Sequence, residues 1–293
     1  MRIAVPALLA AVASASAQSP NTSMVVSTEW LAQRLSDPRV VVLHAWRNTD
    51  DFANGHIPGA RPVPYDDIRV ERDGIGTELP PVEQLQRTFQ KLGVSDDSHV
   101  IIYAGGQGMA PVASRVFLSL DYLGHPMVSL LSGGLAKWVA ENRPVSKDDP
   151  DFAPGKFTPR PRSVTVDADY VTGRIGKKGF AFLDTRTTPE YVGAGARSGL
   201  PSEGHVAGAR QLEWEQLFSD ASAGTFLDTD ALRRLYADRV APGDTVITYC
   251  LVGYRASMTY FAARLLGYPV RLYDGSYQEW ARLKQPVKKG DQP

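Results

Sequence analysis

The hydrophobic pattern of the chain alternates between two kinds of segment. Short runs rich in β-branched and aromatic residues are typical of buried strands. They occur at residues 40–45, 99–104, 180–185 and 245–250. Longer segments with apolar residues at helical spacing separate them, at residues 79–92, 112–123, 231–240 and 256–266. Because strands alternate with helices in both halves, the pattern predicts two α/β units, each a mainly parallel sheet flanked by helices.

Four features of the first half recur in the same order in the second half. The pairs are strands 40–45 and 180–185, Gly-His turns 55–60 and 204–209, strands 99–104 and 245–250, and segments 132–138 and 274–280, which end in tryptophan. Four matches in one order indicate an internal duplication. We therefore expect two domains, residues 24–146 and 163–287. The linker at 147–162 is rich in Pro, Asp and Arg and lacks periodicity.

The first residues have the pattern of a secretory signal peptide. Met1 and Arg2 give a basic start, residues 3–12 are apolar, and residues 15–17 read Ala-Ser-Ala. The apolar run is too short to span a bilayer. We expect residues 1–17 to be a signal peptide that is removed after Ala17. The protein would then be exported, to a bacterial periplasm, with no membrane attachment after cleavage.

Charge and composition exclude several classes of function. The 32 basic residues balance the 32 acidic ones, and no long charged block occurs, which argues against binding to nucleic acid or a membrane surface. Neither a cluster with metal-ligand spacing nor a Gly-rich phosphate motif is present, so we expect no metal and no cofactor. The single cysteine, Cys250, cannot form an internal disulfide. A lone thiol in an oxidising compartment favours a functional role.

Cys250 lies at the end of a predicted strand and is followed by a short loop and a helix that begins at Ala256. Such a loop directs several backbone N–H groups to one point, and the helix dipole adds positive potential there. Gly253 supplies freedom for the turn, and Arg255 adds a permanent charge. These features stabilise a thiolate, so Cys250 is predicted to be a reactive nucleophile. The alternative is a small buried apolar residue at a strand end.

The Cys-x4-Arg loop at 250–255 resembles the active-site loop of rhodanese-type sulfurtransferases. The Gly-His-x-x-Gly-Ala turns and the segment Asp-Gly-Ser-Tyr-x-x-Trp at 274–280 are also features of that family. Nearly the whole chain after residue 17 therefore resembles a two-domain rhodanese of the thiosulfate or 3-mercaptopyruvate type. The resemblance implies two tandem rhodanese-like domains and a persulfide on Cys250. The repeat places Ala104 opposite Cys250, as in N-terminal domains of the family that have lost the cysteine.

The resemblance also implies the roles of residues near the loop. The substrate-binding residues would be Arg186, Arg255 and the loop residues Leu251, Val252, Gly253 and Tyr254. A guanidinium suits a sulfonate-like donor through forked hydrogen bonds. Three further residues are expected to support the site: Asp184 by orienting Arg186 or fixing the loop, Ser257 as a helix cap or a donor to the persulfide, and Arg197 by facing the cleft.

His56 and His205 occupy equivalent Gly-His turns in the two halves. A histidine near a cysteine suggests a Cys-His pair. Because His56 belongs to the half without a cysteine, we instead expect both histidines to stabilise their turns.

The expected reaction moves sulfur from a small anionic donor to a thiol or cyanide acceptor, with no cofactor. One alternative is a sulfur carrier that delivers the persulfide sulfur to a partner protein with little turnover. Another is a cysteine phosphatase, which is disfavoured because those enzymes have a longer Cys-x5-Arg loop. Leu251 and Val252 are apolar where thiosulfate-type enzymes often carry basic residues, so the preferred donor stays open.

Overall fold

A computed structural model describes residues 21–47, 49–106, 110–194 and 200–293. The predicted signal peptide, 1–17, and Arg197 lie outside the described residues. Within these ranges, no helix combines the length and the apolar character needed to cross a bilayer.

The N-terminal half is built on a five-stranded sheet. The strands of this half are β1 (Val25–Val26), β2 (Val40–Trp46), β3 (Arg61–Pro64), β4 (Val70–Arg72), β5 (Ile75–Glu78), β6 (His99–Ala104) and β7 (Val128–Leu131). Its helices are α1 (Thr28–Ala32), α2 (Thr49–Asn54), α3 (Val82–Lys91), α4 (Ala110–Tyr122) and α5 (Gly134–Ala140). The sheet has the order β1-β7-β6-β2-β3 with every neighbouring pair parallel. Strands β4 and β5 form a separate antiparallel hairpin.

The C-terminal half repeats this plan. Its strands are β8 (Thr165–Val166), β9 (Phe180–Asp184), β10 (His205–Val206), β11 (Ala209–Gln211), β12 (Phe218–Asp220), β13 (Thr225–Phe226), β14 (Thr245–Tyr249), β15 (Val270–Tyr273) and β16 (Val287–Lys288). Its helices are α6 (Ala168–Thr172), α7 (Thr188–Val192), α8 (Thr229–Ala237), α9 (Ala256–Leu265) and α10 (Ser276–Arg282). The parallel sheet has the order β11-β9-β14-β15-β8, and β12 with β13 forms the matching hairpin. The predicted fold class and the duplication are confirmed.

Several predicted helix boundaries differ from the structure by one to three residues, and prolines lie at two of the helix starts. Helix α3 begins at Val82 instead of residue 79, since Pro81 is its N-cap residue. Helix α4 begins at Ala110 rather than residue 112, and Pro111 lies in its first turn. Proline is tolerated there because the first N–H groups of a helix have no intrahelical partner.

Helices α4 and α9 pack against each other between the two halves, and one apolar core continues across them. The rings of Phe117 and Phe261 meet edge to face with centroids 4.8 Å apart. Near the helix N-termini, the hydroxyl oxygens of Ser114 and Ser257 lie 2.6 Å apart. Because α4 follows β6 and α9 follows β14, this packing places the carboxyl ends of the two central strands near each other.

Each hairpin reaches the opposite domain. In the β4–β5 hairpin, the Gly74 carbonyl accepts a hydrogen bond of 3.3 Å from the Gln278 side chain. Conversely, the N–H of Gly133 donates a 3.3 Å hydrogen bond to the carbonyl of Gly224 beside β13. The hairpin of each half therefore covers the carboxyl ends of the central strands of the other half.

The segment at 147–162 contains no helix or strand, but it follows the N-terminal domain closely. The N–H of Gly155 donates to the Gln90 carbonyl, and the N–H of Arg160 donates to the Leu123 carbonyl, both at 2.8 Å. Phe157 is buried in the main core. This connection is thus tied to the first domain along its length.

Candidate active site

Cys250 comes directly after β14, a central strand of the C-terminal sheet, and its residue is fully buried. Its N–H donates to the Ser276 hydroxyl at 3.3 Å, and its carbonyl accepts from the N–H of Tyr277 at 3.0 Å. Ligand sites in parallel α/β sheets lie at this edge. The start of the loop is therefore fixed by the segment that begins helix α10.

The loop after Cys250 presents a row of backbone N–H groups. Within the described part of the chain, the N–H groups of residues 251–255 donate no hydrogen bond to a protein group. Helix α9 begins immediately afterwards, at Ala256. Gly253 has a φ of 80°, and a Cβ atom there would lie 2.8 Å from the Asp274 carbonyl oxygen. A loop with such N–H groups ahead of a helix N-terminus can bind an anion beside a thiol.

Arg255 forms a two-pronged ion pair with Glu190, with N–O distances of 2.8 and 2.9 Å. Burial alone would lower the pKa of Arg255, but the hydrogen bond to Glu190 and the attraction of Cys250 raise it. Burial alone would raise the pKa of Glu190, but Arg255 lowers it to about 2. The pair therefore stays ionised at neutral pH, and the positive charge of Arg255 is shared between Cys250 and Glu190.

Glu190 was not among the residues predicted from the sequence. It is held by Thr187, whose N–H and hydroxyl donate to its carboxylate at 3.1 and 2.9 Å. The sequence Thr-Thr-Pro-Glu at 187–190 is a capping-box signal at the start of α7. That signal predicts the carboxylate's local contacts, although it does not predict the pairing with Arg255.

Arg186 is buried, with 2% of its surface exposed, and its guanidinium is held on two sides. Asp184 accepts hydrogen bonds of 3.0 and 2.6 Å from Nε and Nη2, and the Gly204 carbonyl accepts one of 2.6 Å. The guanidinium carbon also lies 3.8 Å from the centroid of the Tyr277 ring. Burial alone would lower the pKa of Arg186, but Asp184 raises it. Asp184 thus fixes the orientation of the Arg186 guanidinium, while the role of Arg186 in binding the donor stays a prediction.

Arg186 and the loop after Cys250 share one small cavity. Its lining includes Arg186, Glu190, Leu251 and Tyr277. The structure therefore brings Arg186 beside the loop that starts at Cys250.

The middle of the loop is covered by the N-terminal domain. The Thr77 hydroxyl donates a hydrogen bond to the Val252 carbonyl. The Tyr254 ring meets the Tyr65 ring edge to face, with centroids 5.2 Å apart. Leu251 and Gly253 are buried, whereas Val252 and Tyr254 are half-buried.

Ser257 does not cap helix α9. The helix begins one residue earlier, at Ala256, and its N-cap residue Arg255 makes no capping hydrogen bond through its side chain. The Ser257 hydroxyl instead contacts the Tyr254 carbonyl at 2.7 Å and the Ser114 hydroxyl at 2.6 Å. The expected capping role was wrong, and the residue links the loop to the N-terminal domain.

The N-terminal domain differs from the C-terminal domain at more than the cysteine position. In the repeat, Ala104 aligns with Cys250. His44 and Trp46 occupy the positions of Asp184 and Arg186. Burial lowers the pKa of His44 to about 3, and the ring is packed among Trp46, Phe52 and Tyr103. An aromatic cluster thus replaces the carboxylate–guanidinium pair.

The two turn histidines make matching contacts. His205 stacks on Tyr191 and its Nδ1 lies 2.9 Å from the Tyr191 carbonyl oxygen. His56 stacks on Phe52 and its Nδ1 lies 3.1 Å from the Phe52 carbonyl oxygen. Both rings therefore stabilise turns, as expected.

In the described ranges, no group of three or more His, Cys, Asp and Glu side chains could hold a metal ion.

Together, the fold and the loop after Cys250 indicate the family of the protein. The model of the Rhodanese-like domain matches residues 27–141 and again residues 167–283. The chain belongs to the rhodanese family and carries the domain twice.

Several relatives align over most of their length. A thiosulfate sulfurtransferase of Azotobacter vinelandii is 32% identical over 88% of this chain and 93% of that protein. A probable 3-mercaptopyruvate sulfurtransferase of Pseudomonas aeruginosa is 32% identical over 92% of this chain and 100% of that protein. A sulfur carrier protein of Thermus thermophilus is also 32% identical, over 92% of this chain and 98% of that protein.

Solved structures agree with this assignment. A crystal structure from Escherichia coli, described as a 3-mercaptopyruvate sulfotransferase with the rhodanese fold, has a TM-score of 0.73 and 25% identity. It covers 86% of this chain and 98% of that chain. The crystal structure of a protein named YnjE has a TM-score of 0.81 and 25% identity over 92% of this chain and 69% of that chain.

Proposed function

We propose that this protein moves a sulfane sulfur from a small anionic donor, thiosulfate or 3-mercaptopyruvate, to a thiol or cyanide through a persulfide on Cys250. The sulfurtransferase class follows from the family and from the relatives that carry that name. One observation carries the residue assignment. Cys250 begins a loop whose N–H groups at 251–255 make no hydrogen bonds to other described residues and which ends at a helix N-terminus.

In the first half-reaction, the Cys250 thiolate attacks the outer sulfur of thiosulfate. The sulfur–sulfur bond of the donor breaks, and sulfite leaves with the electron pair. The loop N–H groups and Arg255 stabilise the negative charge on the outer sulfur of the persulfide. Arg186, beside Leu251, offers a second positive group for the donor's anionic end.

In the second half-reaction, the acceptor attacks the outer sulfur of the persulfide. With cyanide, a carbon–sulfur bond forms, the sulfur–sulfur bond breaks, and thiocyanate leaves while the Cys250 thiolate is restored. Cys250 is the nucleophile of the first step and the leaving thiolate of the second, and the same positive surroundings serve both steps.

The Thermus relative supports a second candidate, a sulfur carrier that passes the persulfide sulfur to a partner protein. The two candidates share the first half-reaction and differ in the second. Steady-state turnover with thiosulfate and cyanide separates them. A stable persulfide with negligible turnover would favour the carrier.

The test of the persulfide is the mass of the intact protein after treatment with thiosulfate. We expect a gain of one sulfur atom that a thiol reductant removes. Cys250→Ser should keep the fold, because the two side chains have similar size, and should lose both the mass gain and the turnover. Ala104→Ser, at the equivalent position of the other domain, is the matched control and should retain both. Substantial turnover by Cys250→Ser would overturn the assignment.

We also propose that the protein is exported, to a bacterial periplasm, after removal of residues 1–17. The proposal is supported by the basic start, the short apolar run and the small residues before Gln18. N-terminal sequencing of the protein recovered from a periplasmic fraction tests it, and a mature protein that still begins at Met1 would refute it.

A further inference from the structure

Arg115 is a charged residue on α4, a helix whose other described side chains are almost all buried. The residue has 0% exposure, and it belongs to the domain without the cysteine. A guanidinium without water must be paired to be tolerated. Its Nη2 lies 2.8 Å from Oδ1 of Asp274, in the other domain, and also donates to the Thr77 carbonyl.

Asp274 lies against the middle of the catalytic loop. A Cβ atom at Gly253 would be 3.1 Å from Oδ1 of Asp274. The other carboxylate oxygen accepts a 2.8 Å hydrogen bond from the N–H of Leu79. Two residues later, the Ser276 hydroxyl accepts from the N–H of Cys250. Asp274 therefore connects the N-terminal domain to the turn that follows the cysteine.

Two loop carbonyls also face the N-terminal domain. The Val252 carbonyl accepts from the Thr77 hydroxyl, and the Gly253 carbonyl lies 3.5 Å from Nη1 of Arg115. In a trans peptide unit, the C=O and the following N–H point in opposite directions. Holding these two carbonyls toward the N-terminal domain therefore turns the N–H groups of Gly253 and Tyr254 toward the other side of the loop.

We infer that Arg115, paired with Asp274, is a positioning residue that holds the catalytic loop so that its N–H groups face the sulfur of Cys250. The inference rests on the proposed role of Cys250 as the sulfur-carrying nucleophile. The domain without a cysteine then contributes to the reaction by fixing the direction of peptide dipoles, although it supplies no reacting group.

The chain offers a matched control at the other end of the same interface. Asp121, on α4, accepts a 3.0 Å hydrogen bond from Nε of Arg264 and one of 2.6 Å from the Tyr260 hydroxyl. This interdomain ion pair joins the same two helices but does not contact the loop. Arg115→Met and Arg264→Met thus each remove one interdomain guanidinium, and only the first should affect the orientation of the loop.

The experiment compares full-length Arg115→Met and Arg264→Met in three measurements: thermal unfolding, the pH dependence of alkylation of Cys250 by iodoacetamide, and sulfur transfer from thiosulfate to cyanide. Both variants should lose stability. For Arg115→Met we expect alkylation at pH 6 to slow by about threefold to tenfold, and kcat/KM to fall by roughly 10- to 100-fold, as for small misplacements of reacting groups. Arg264→Met should keep the wild-type alkylation profile and kcat/KM. Arg115→Lys, which keeps the charge without the planar fork, should restore part of both rates.

Equal changes in alkylation and turnover for the two methionine variants would overturn the inference. If Arg115→Met does not fold, Asp274→Asn takes its place, since it removes the charge at nearly constant volume. An unchanged alkylation profile in folded Asp274→Asn would likewise overturn it. Alkylation needs no sulfur transfer. A wild-type protein without turnover would therefore refute the proposed function, while the alkylation comparison would still decide the role of Arg115.

Discussion

Replacing Glu190 with glutamine removes the charge that pairs with Arg255 and keeps the size of the side chain. Burial alone would raise the pKa of Glu190, but Arg255 lowers it from 4.5 to about 2. The side chain is 12% exposed, so solvent screens the pair only weakly. At about 1.4 kcal/mol per pKa unit, the shift corresponds to about 3 kcal/mol of stability at pH 7.

The sign of the pH dependence follows from the direction of this shift. A carboxylate with a lowered pKa stabilises the folded state fully above its unfolded value of 4.5, and this contribution is lost as the pH falls through about 2. About 2 kcal/mol of the contribution should remain at pH 3.5. Glu190→Gln should therefore lower the free energy of unfolding by about 3 kcal/mol at pH 7 but only about 2 kcal/mol at pH 3.5.

Urea unfolding of both proteins at the two pH values measures this difference. Glu213 provides a control of opposite sign, because burial and its acidic neighbours raise its pKa. A carboxylate with a raised pKa lowers stability when it is ionised, so Glu213→Gln should not destabilise the protein at pH 7. The same loss for Glu190→Gln at pH 7 and at pH 3.5 would show that its charge does not stabilise the fold.

Three other substitutions test the site. Gly253→Ala places a side chain on a residue with a φ of 80°, so it should cost about 1–2 kcal/mol of stability and lower turnover. Urea unfolding and the cyanide assay measure the two effects, and wild-type values in both would contradict the loop geometry. Lysine cannot make the forked hydrogen bonds by which a guanidinium binds an anionic donor. Arg186→Lys should therefore raise KM for thiosulfate more than it lowers kcat, and an unchanged KM would exclude a role in donor binding. Ala104→Cys in a Cys250→Ser background should show no sulfur transfer, because Trp46 stands in the place of the guanidinium; turnover near wild type would refute that reasoning.

The sequence revealed the parts of the site that are contiguous in the chain. A strand, Cys250, a turn with Gly253 and a helix N-terminus occur within a dozen residues, so their relation follows from local geometry. Glu190 could be predicted only as a residue of a capping box. Its pairing with Arg255 joins residues 65 positions apart and depends on how α7 and α9 lie along the sheet.

The sequence around Arg115 marks this residue as unusual. It is the only charged residue within 111–120, a run otherwise made of apolar residues, serines and a proline. A charge in such a run predicts a buried partner. The partner, Asp274, is 159 positions away in the other repeat, and only the packing of α4 on α9 brings the two together. Interdomain contacts of this kind cannot be inferred from either repeat alone.

The hairpin of each half of this duplicated chain contacts the other half, so neither half has its full set of contacts alone. The first half has Ala104 and Trp46 where the second half has Cys250 and Arg186, yet its hairpin reaches across to Val252. The copy without a cysteine is therefore still part of the surroundings of the Cys250 loop. Deleting the copy without a cysteine would remove contacts that the loop after Cys250 makes in this structure. It would leave Cys250 on a loop whose carbonyl groups no longer meet Thr77 and Arg115.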